Sequence, residues 1–262
     1  MKKTRVDLLL VERGLAESRS LAQRLVMAGQ VRADGQVVAK ASMAYPDEVV
    51  LEVDRGPRFV SRGGEKLAGA IEAFGLDLGG KVCADIGAST GGFTDCMLQN
   101  GAAKVYAIDV GNGILHWDLR KDARVVVMEG TNARNVSSLP EPVDFVSVDV
   151  SFISLKILFP VFKEWFGPQG GQAVVLVKPQ FEAGRRLAAK GKGVIRDPEV
   201  HREVIEGVLG FAQMEGFGLL GLAASPITGP KGNVEFLAYL GYPETPNPRL
   251  IELIHNLISL PS

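Results

Sequence analysis

The sequence predicts an α/β chain in two parts: a small α+β unit over residues 1–59, then a larger domain over residues 60–262 built on a mostly parallel, doubly wound sheet. Three observations carry this. Beyond residue 63, short β-rich runs alternate with helix-length amphipathic stretches, the rhythm of strands covered by helices on both faces. The first of those runs opens into a glycine-rich turn, Gly87-Ala88-Ser89-Thr90-Gly91-Gly92. The opening segment keeps a different pattern of two short helices and short alternating strands, closed by Arg55-Gly56-Pro57-Arg58, where Gly and Pro punctuate a hinge.

Residues 5–13 and 18–28 read as amphipathic helices, with Gly14 and Gly29 where a helix C-cap favours glycine. Residues 30–32, 36–38 and 49–53 read as strands of a small curled sheet, with turns at Ala33-Asp34-Gly35 and Tyr45-Pro46-Asp47. In the larger domain the strand runs are 81–86, 104–110, 124–128, 143–148 and 172–177. Two later runs, 218–224 and 234–240, have no helix-length segment between them and are expected to pair antiparallel at a sheet edge, making seven strands. Residues 249–258 form an apolar-faced helix expected to pack on the domain.

With 46% hydrophobic and 23% charged residues in 262, the chain can bury a sizeable core, which excludes a mainly disordered protein, a collagen-like fibre and a long coiled coil. Net charge is −1; residues 1–60 hold ten Lys and Arg against eight Asp and Glu, an asymmetry too weak to name a partner by itself. Cys83 and Cys96 cannot build a disulfide framework and point to a reducing compartment. Met1-Lys2-Lys3 imitates the start of a secretory signal, but Asp7 and Glu12 interrupt the apolar stretch that follows. No window approaches the roughly 20 apolar residues of a membrane span. A cytoplasmic protein without a membrane segment is the expectation.

The strand Val82-Cys83-Ala84-Asp85-Ile86 runs straight into the glycine-rich turn and then a helix. Glycines let the backbone turn sharply and approach a ligand, and the following helix N-terminus offers unpaired N–H groups. The spacing is neither G-x-G-x-x-G nor G-x-x-x-x-G-K-[ST], so a dinucleotide or a triphosphate is a poor match. Asp85, on the strand itself, suits an amino-acid ammonium group. Asp109, at the end of the next strand, stands where α/β cofactor domains place an acid on ribose hydroxyls. Together these predict S-adenosylmethionine; the plain alternative is an ordinary tight βα connection.

Two further charges close apolar strands: Asp149 in Val146-Ser147-Val148-Asp149 and Lys178 in Val174-Val175-Leu176-Val177-Lys178. Strand carboxyl ends share one edge in a parallel sheet, so both belong with the glycine-rich turn. Lys66 opens the first helix of the larger domain and Glu235 opens a late strand, completing a Lys–Asp–Lys–Glu set. A single charge at a strand end is commonly a solvated cap; a convergent set is a candidate for chemistry. A hydroxyl attacking an electrophilic methyl must shed its proton, and an ordinary lysine, with a reference pKa of about 10.4, is mostly in the wrong form to take it. A second cation nearby favours the neutral amine, the part expected of Lys66 toward Lys178, with Asp149 and Glu235 orienting the amines. These residue types suit methylation of a ribose 2′-hydroxyl.

Collectively the motifs closely resemble the TlyA (hemolysin A) family of ribosomal RNA methyltransferases, which join an S4 RNA-binding domain to a domain like that of the FtsJ heat-shock methyltransferase. Arg5-Val6-Asp7, Ser18-Arg19-Ser20-Leu21-Ala22 and Gly29-Gln30-Val31 resemble S4. Val60-Ser61-Arg62-Gly63-Gly64-Glu65-Lys66-Leu67, Asp85 through Thr94, Asp149-Val150-Ser151-Phe152, Lys178-Pro179-Gln180-Phe181-Glu182 and Gly229-Pro230-Lys231-Gly232-Asn233-Val234-Glu235 resemble the catalytic domain, and none is broken. The resemblance implies a Rossmann-like, seven-stranded methyltransferase domain preceded by a small S4-like RNA-binding domain. It implies S-adenosylmethionine-dependent 2′-O-methylation of ribosomal RNA cytidines, with Lys66, Asp149, Lys178 and Glu235 as the catalytic tetrad. It also implies that Gly87, Ser89, Gly91, Gly92, Phe93, Asp109 and Asn132 line the cofactor site.

Arg5, Arg13, Arg19, Arg24 and Lys40 form the basic face expected around the second helix, where the S4 resemblance puts RNA. Phosphate contacts there make binding salt-sensitive and weakly sequence-specific. A second basic segment carries Arg185, Arg186, Lys190 and Lys192 beyond Lys178 and is expected to be a mobile loop ordered by RNA. Ribosomal RNA or ribosomal subunits are the expected partners, and nothing requires an oligomer. Trp117 could stack on a base, but core packing is its expected role. His201 and His255 lack a second His or a Cys at ligand spacing, so no metal site is expected. Two competing readings are a membrane-active protein, weighed down by the missing span, and a non-catalytic RNA-binding scaffold, weighed down by the intact tetrad.

Overall fold

Parallel strands buried on both faces organise the larger part of the computed structural model, which describes residues 3–54, 56–184, 193–245, 247 and 250–258. Two compact units divide between Arg58 and Phe59. Arg55 of the expected hinge lies outside the described residues.

The first unit runs β1 (Lys3–Arg5), α1 (Val6–Glu12), α2 (Arg19–Met27), β2 (Val31–Ala33), β3 (Gln36–Val37), β4 (Ala44–Pro46) and β5 (Leu51–Val53). Both helices drop apolar residues, among them Leu9, Leu10, Ala22 and Val26, into a core shared with Val31 and Leu51 of the three-stranded sheet β3-β2-β5. Ser18 caps α2, its Oγ accepting the Leu21 N–H at 3.3 Å. Tyr45-Pro46 departs from the expected turn: Ala44–Pro46 is a strand paired antiparallel with Lys3–Arg5, and the turn starts at Asp47. Val6 N donates to Met43 O at 2.8 Å in the same register, so by alternation Lys3 and Pro46 form a non-hydrogen-bonded pair and the missing N–H of Pro46 costs no ladder bond. Pairing of residues 3–5 also delays the first helix to Val6.

The second unit contains α3 (Gly63–Phe74), β6 (Val82–Ile86), α4 (Gly92–Gln99), β7 (Lys104–Ile108), α5 (Trp117–Lys121), β8 (Val125–Met128), β9 (Phe145–Val148), α6 (Phe159–Phe162), β10 (Gly171–Val177), α7 (Pro179–Glu182), α8 (Pro198–Met214), β11 (Gly218–Ala224), β12 (Phe236–Tyr242) and α9 (Leu250–Ile258). Its seven-stranded sheet has the order β11-β12-β10-β9-β6-β7-β8, with β12 antiparallel to both neighbours. The late antiparallel pair is present, with β11 at the edge. Along β10, Ala173, Val175 and Val177 enter one core and Val174 and Leu176 the other, the alternation of a strand buried on both faces. Ile254 of α9 is buried in the first of these cores.

From β6 the chain steps outward to β7 and β8, then returns to place β9 and β10 on the other side of β6. The switch point is therefore between β6 and β9, and the crevice beyond their carboxyl ends is where open α/β sheets bind ligands. Ile86 pairs with Val148, so Gly87 and Asp149 leave the sheet side by side. Val177 pairs with Phe236, so Lys178 and Glu235 do the same.

Candidate active site

Gly87 has φ +84, and a Cβ there would stand 2.5 Å from the Asp149 carbonyl oxygen, so only glycine lets the two loops touch at the switch point. A Cβ on Gly92, at the start of α4, would lie 2.7 Å from Gly64 N, which brings α3 and its Lys66 against the glycine-rich turn. Four charged side chains then converge. Lys66 Nζ donates to Glu235 Oε2 at 2.7 Å and lies 3.5 Å from Asp149 Oδ2. Lys178 Nζ contacts Asp149 Oδ1 as an ion pair outside hydrogen-bond alignment, and donates to Ser151 Oγ at 3.3 Å. Gln180 Nε2 donates to Glu235 Oε1 at 3.3 Å. The result is a continuous chain, Lys178–Asp149–Lys66–Glu235, in which Lys66, Lys178 and Glu235 are buried. Such burial is tolerable because each charge has an opposite partner.

Three cavities adjoin this chain. One of about 420 Å³ is lined by Gly87, Ser89, Asp109, Ile114, Asn132 and Asp149, with Ile86, Ile108 and Val110 supplying apolar walls. A second, of about 320 Å³, is lined by Lys66, Gly92, Phe93, Asp149 and Lys178. The third, of about 640 Å³, is lined by Phe152, Lys178, Gln180, Phe181 and Glu235. Ser151 lines all three.

Among the residues expected to hold the cofactor, Asp109 ties the site together: Oδ2 accepts the Ser89 N–H and Oδ1 the Gly111 N–H, both at 2.8 Å. Asn132 Oδ1 accepts from Arg134 N at 3.2 Å and faces the same cavity. Two expected residues stand elsewhere. Asp85 is fully buried and lines none of the three cavities; Thr94 Oγ1 donates to it at 2.7 Å and Ser147 Oγ at 3.0 Å, and burial pushes its carboxyl up to about 6. Gly91 serves packing, since with φ +101 it lets Leu119 and Leu115 close on the turn.

In the first unit, the buried carboxylate of Asp7 gathers the basic face. Arg5 donates to it twice, at 2.9 and 3.0 Å, and Arg19 and Gln23 each at 3.0 Å. Arg24 and Lys40 are exposed. Arg13 departs from expectation, its guanidinium donating at 2.6 Å to the carbonyls of Val49 and Asp47, a brace inside the unit. Arg185, Arg186, Lys190 and Lys192 lie outside the described residues.

Trp117 overturns its expected core role: it is 63% exposed, with Lys121 Nζ 4.6 Å from its ring centroid, because only Leu119 of the short α5 is buried. Among residues the sequence did not single out, Phe152 is the most telling. It is 89% exposed, adopts φ +66, and packs against Phe181 with ring centroids 4.8 Å apart. A non-glycine residue held there costs on the order of 1–3 kcal/mol, which structures retain mainly at functional sites. No helix among the described residues is long and apolar enough to cross a membrane, and no group of three or more potential metal ligands is found among them.

A doubly wound seven-stranded sheet, with a glycine-rich βα turn, the Asp109 carboxylate and a Lys–Asp–Lys–Glu chain gathered at its switch point, is the architecture of the Rossmann-like methyltransferase class. Residues 59–242 match the FtsJ-like methyltransferase family and residues 4–48 the S4 domain. The chain belongs to the FtsJ-like methyltransferase family, in the TlyA branch that carries an S4 domain at the N-terminus. It is 45% identical over 243 residues to the 16S/23S rRNA (cytidine-2′-O)-methyltransferase TlyA of Mycobacterium tuberculosis, covering 91% of this chain and 90% of that one. It is 42% identical over 239 residues to hemolysin A of Brachyspira hyodysenteriae, covering 90% and 98%. A solved structure of a provisionally named hemolysin from Streptococcus thermophilus superposes with a TM-score of 0.72 at 43% identity, covering 98% and 96%.

Proposed function

We propose that this chain is an S-adenosylmethionine-dependent ribose 2′-O-methyltransferase acting on cytidine in ribosomal RNA, a cytoplasmic enzyme that needs no oligomer. Residues 1–59 serve as the RNA anchor and residues 60–262 as the catalytic domain. The observation that carries the reading is the Lys178–Asp149–Lys66–Glu235 chain, buried except for the half-buried Asp149 and set where the three cavities meet. The TlyA relative named above adds the substrate class.

The 420 Å³ cavity has the size of a small-molecule site and the chemistry of a nucleoside site. Ile108, Val110 and Ile114 offer apolar contact to an adenine, and the Asp109 carboxylate, which two amides leave with spare acceptor capacity, suits ribose hydroxyls. S-adenosylmethionine supplies, when bound, a methyl group carried on a positively charged sulfur. Lys178 Nζ would take the proton from the attacking 2′-hydroxyl as the methyl group passes from sulfur to that oxygen. Asp149 fixes Lys178 and draws Lys66 close; Glu235 holds Lys66 from the other side, and the charges nearly cancel. The open ring of Phe152 offers a stacking surface for the target base beside Lys178. Arg5, Arg19, Arg24 and Lys40 contact phosphates.

The test is transfer of a labelled methyl group from S-adenosylmethionine to unmodified small and large ribosomal subunits. Labelled ribosomal RNA supports the reading. Cofactor binding without transfer to either subunit removes ribosomal RNA as substrate, and absence of cofactor binding removes the enzyme.

A further inference from the structure

Glu129 follows β8 and touches none of the tetrad, yet it is the most heavily bonded carboxylate near the cofactor cavity. Its Oε1 accepts the N–H groups of Ile114 and Leu115, each at 2.9 Å; its Oε2 accepts the Gly113 N–H at 2.8 Å and Arg120 Nη2 at 2.5 Å. Three consecutive backbone donors of the β7–α5 loop thus close on one side chain that is 11% exposed. With two donors on each oxygen, Glu129 has little capacity left for a ligand, so its effect passes through the loop.

That loop is a wall of the cavity. Ile114 lines it directly. At one end Gly130 N donates to Gly111 O and Thr131 N to Asp109 O, both at 2.8 Å; at the other His116 N donates to Thr90 O, in the glycine-rich turn, at 3.0 Å. Glu129 therefore stands at the centre of a stitched frame that joins Asp109, Ile114 and the glycine-rich turn. Removing the carboxylate orphans three amides and frees the wall to move, which a ligand must then reorder on binding.

We infer that Glu129 is a positioning residue for the cofactor: by clamping residues 113–115 it presents Ile114 and Asp109 as a preformed wall to the adenosine end of S-adenosylmethionine. The inference rests on the reading of that cavity given above. Glutamine cannot substitute, because its NH₂ would face the Arg120 and Gly113 donors or the Ile114 and Leu115 donors, and in either case two bonds are lost.

The experiment is calorimetric titration of the full-length chain with S-adenosylmethionine, for wild type, Glu129→Gln and Arg120→Ala, with RNA affinity and kcat at saturating cofactor measured alongside. Glu129→Gln is expected to weaken cofactor binding roughly tenfold, with kcat and RNA affinity within about twofold of wild type; Arg120→Ala, which removes one of the four donors to Glu129 and the Arg120 Nε bond to the Leu115 carbonyl at 2.9 Å, gives a loss of the same selectivity. Should Glu129→Gln fail to fold, Arg120→Ala decides alone. Unchanged cofactor affinity overturns the inference, as does a loss shared equally by cofactor binding, RNA binding and kcat, which marks a general scaffold role. A wild-type chain that binds no S-adenosylmethionine overturns the underlying reading of the cavity instead.

Discussion

Lys66 and Glu235, 169 positions apart in the chain, meet as a buried hydrogen-bonded ion pair at 2.7 Å. The pair joins the first helix of the methyltransferase domain to the segment entering β12, so the same contact that poises the site also closes the fold. A buried pair contributes little beyond what apolar residues of equal volume would, but half of one is costly. Glu235→Ala should therefore destabilise the domain by about 3 kcal/mol in chemical denaturation, by leaving Lys66 with only the longer contact to Asp149. The double variant Lys66→Met/Glu235→Leu should recover most of that loss while remaining inactive. Additive losses in the double variant would show that the two residues do not act as a pair.

Gly87→Ala tests the crossing of the β6 and β9 loops. The new Cβ would meet the Asp149 carbonyl at 2.5 Å on a backbone with φ +84. Stability should fall by about 2 kcal/mol, and methyl transfer should fall much further, because Asp149 and both its lysines shift together. Wild-type activity in the folded variant would mean that the placement of Asp149 is not critical.

Asp85 has a sign opposite to that of most carboxylates. Its folded-state pKa is raised from 3.8 to about 6, chiefly by burial, so the protonated form favours the folded state. Its contribution is fully present below about pH 4 and is lost as pH rises through 6. Asp85→Asn should gain stability relative to wild type, on the order of 2 kcal/mol, as pH goes from 4 to 7. Denaturation curves across that range check it, and a flat difference would contradict the assignment.

Asp7 behaves in the opposite way. The Arg5 guanidinium beside it holds its carboxyl well below the usual range, so its contribution is present above about pH 4 and is lost as pH falls below that. Protection factors of the α1 and α2 amides, taken relative to intrinsic exchange at each pH, should fall on acidification and, at neutral pH, in Asp7→Asn. The same variant should weaken RNA binding and reduce its salt dependence, since Arg5 and Arg19 lose their common anchor.

Much of the site was legible in sequence because topology does the placing. Apolar strands ending in Asp149 and Lys178 must deliver both charges to one edge of a parallel sheet, and the pairing of Val177 with Phe236 brings Glu235 there as well. Asp109 was legible for the same reason. Asp85 was not: its place on β6 is plain, but the face its side chain takes is set by Thr94 and Ser147, which only the folded chain brings together. Arg13 reads as one more surface cation until its two carbonyl acceptors come within reach. Glu129 leaves no pattern, because three backbone amides have no sequence signature. Phe152 could have been flagged as an aromatic directly after a catalytic strand end, but its exposure is a property of the strained loop.

The most direct test locates the transferred methyl group. Ribosomal RNA treated with wild-type protein and S-adenosylmethionine should yield, by mass spectrometry of nucleosides, a cytidine methylated on the ribose 2′-oxygen, and the Lys178→Ala protein, still binding the cofactor, should yield at least about a hundredfold less. A methyl group on the base, or undiminished product from Lys178→Ala, would contradict the account.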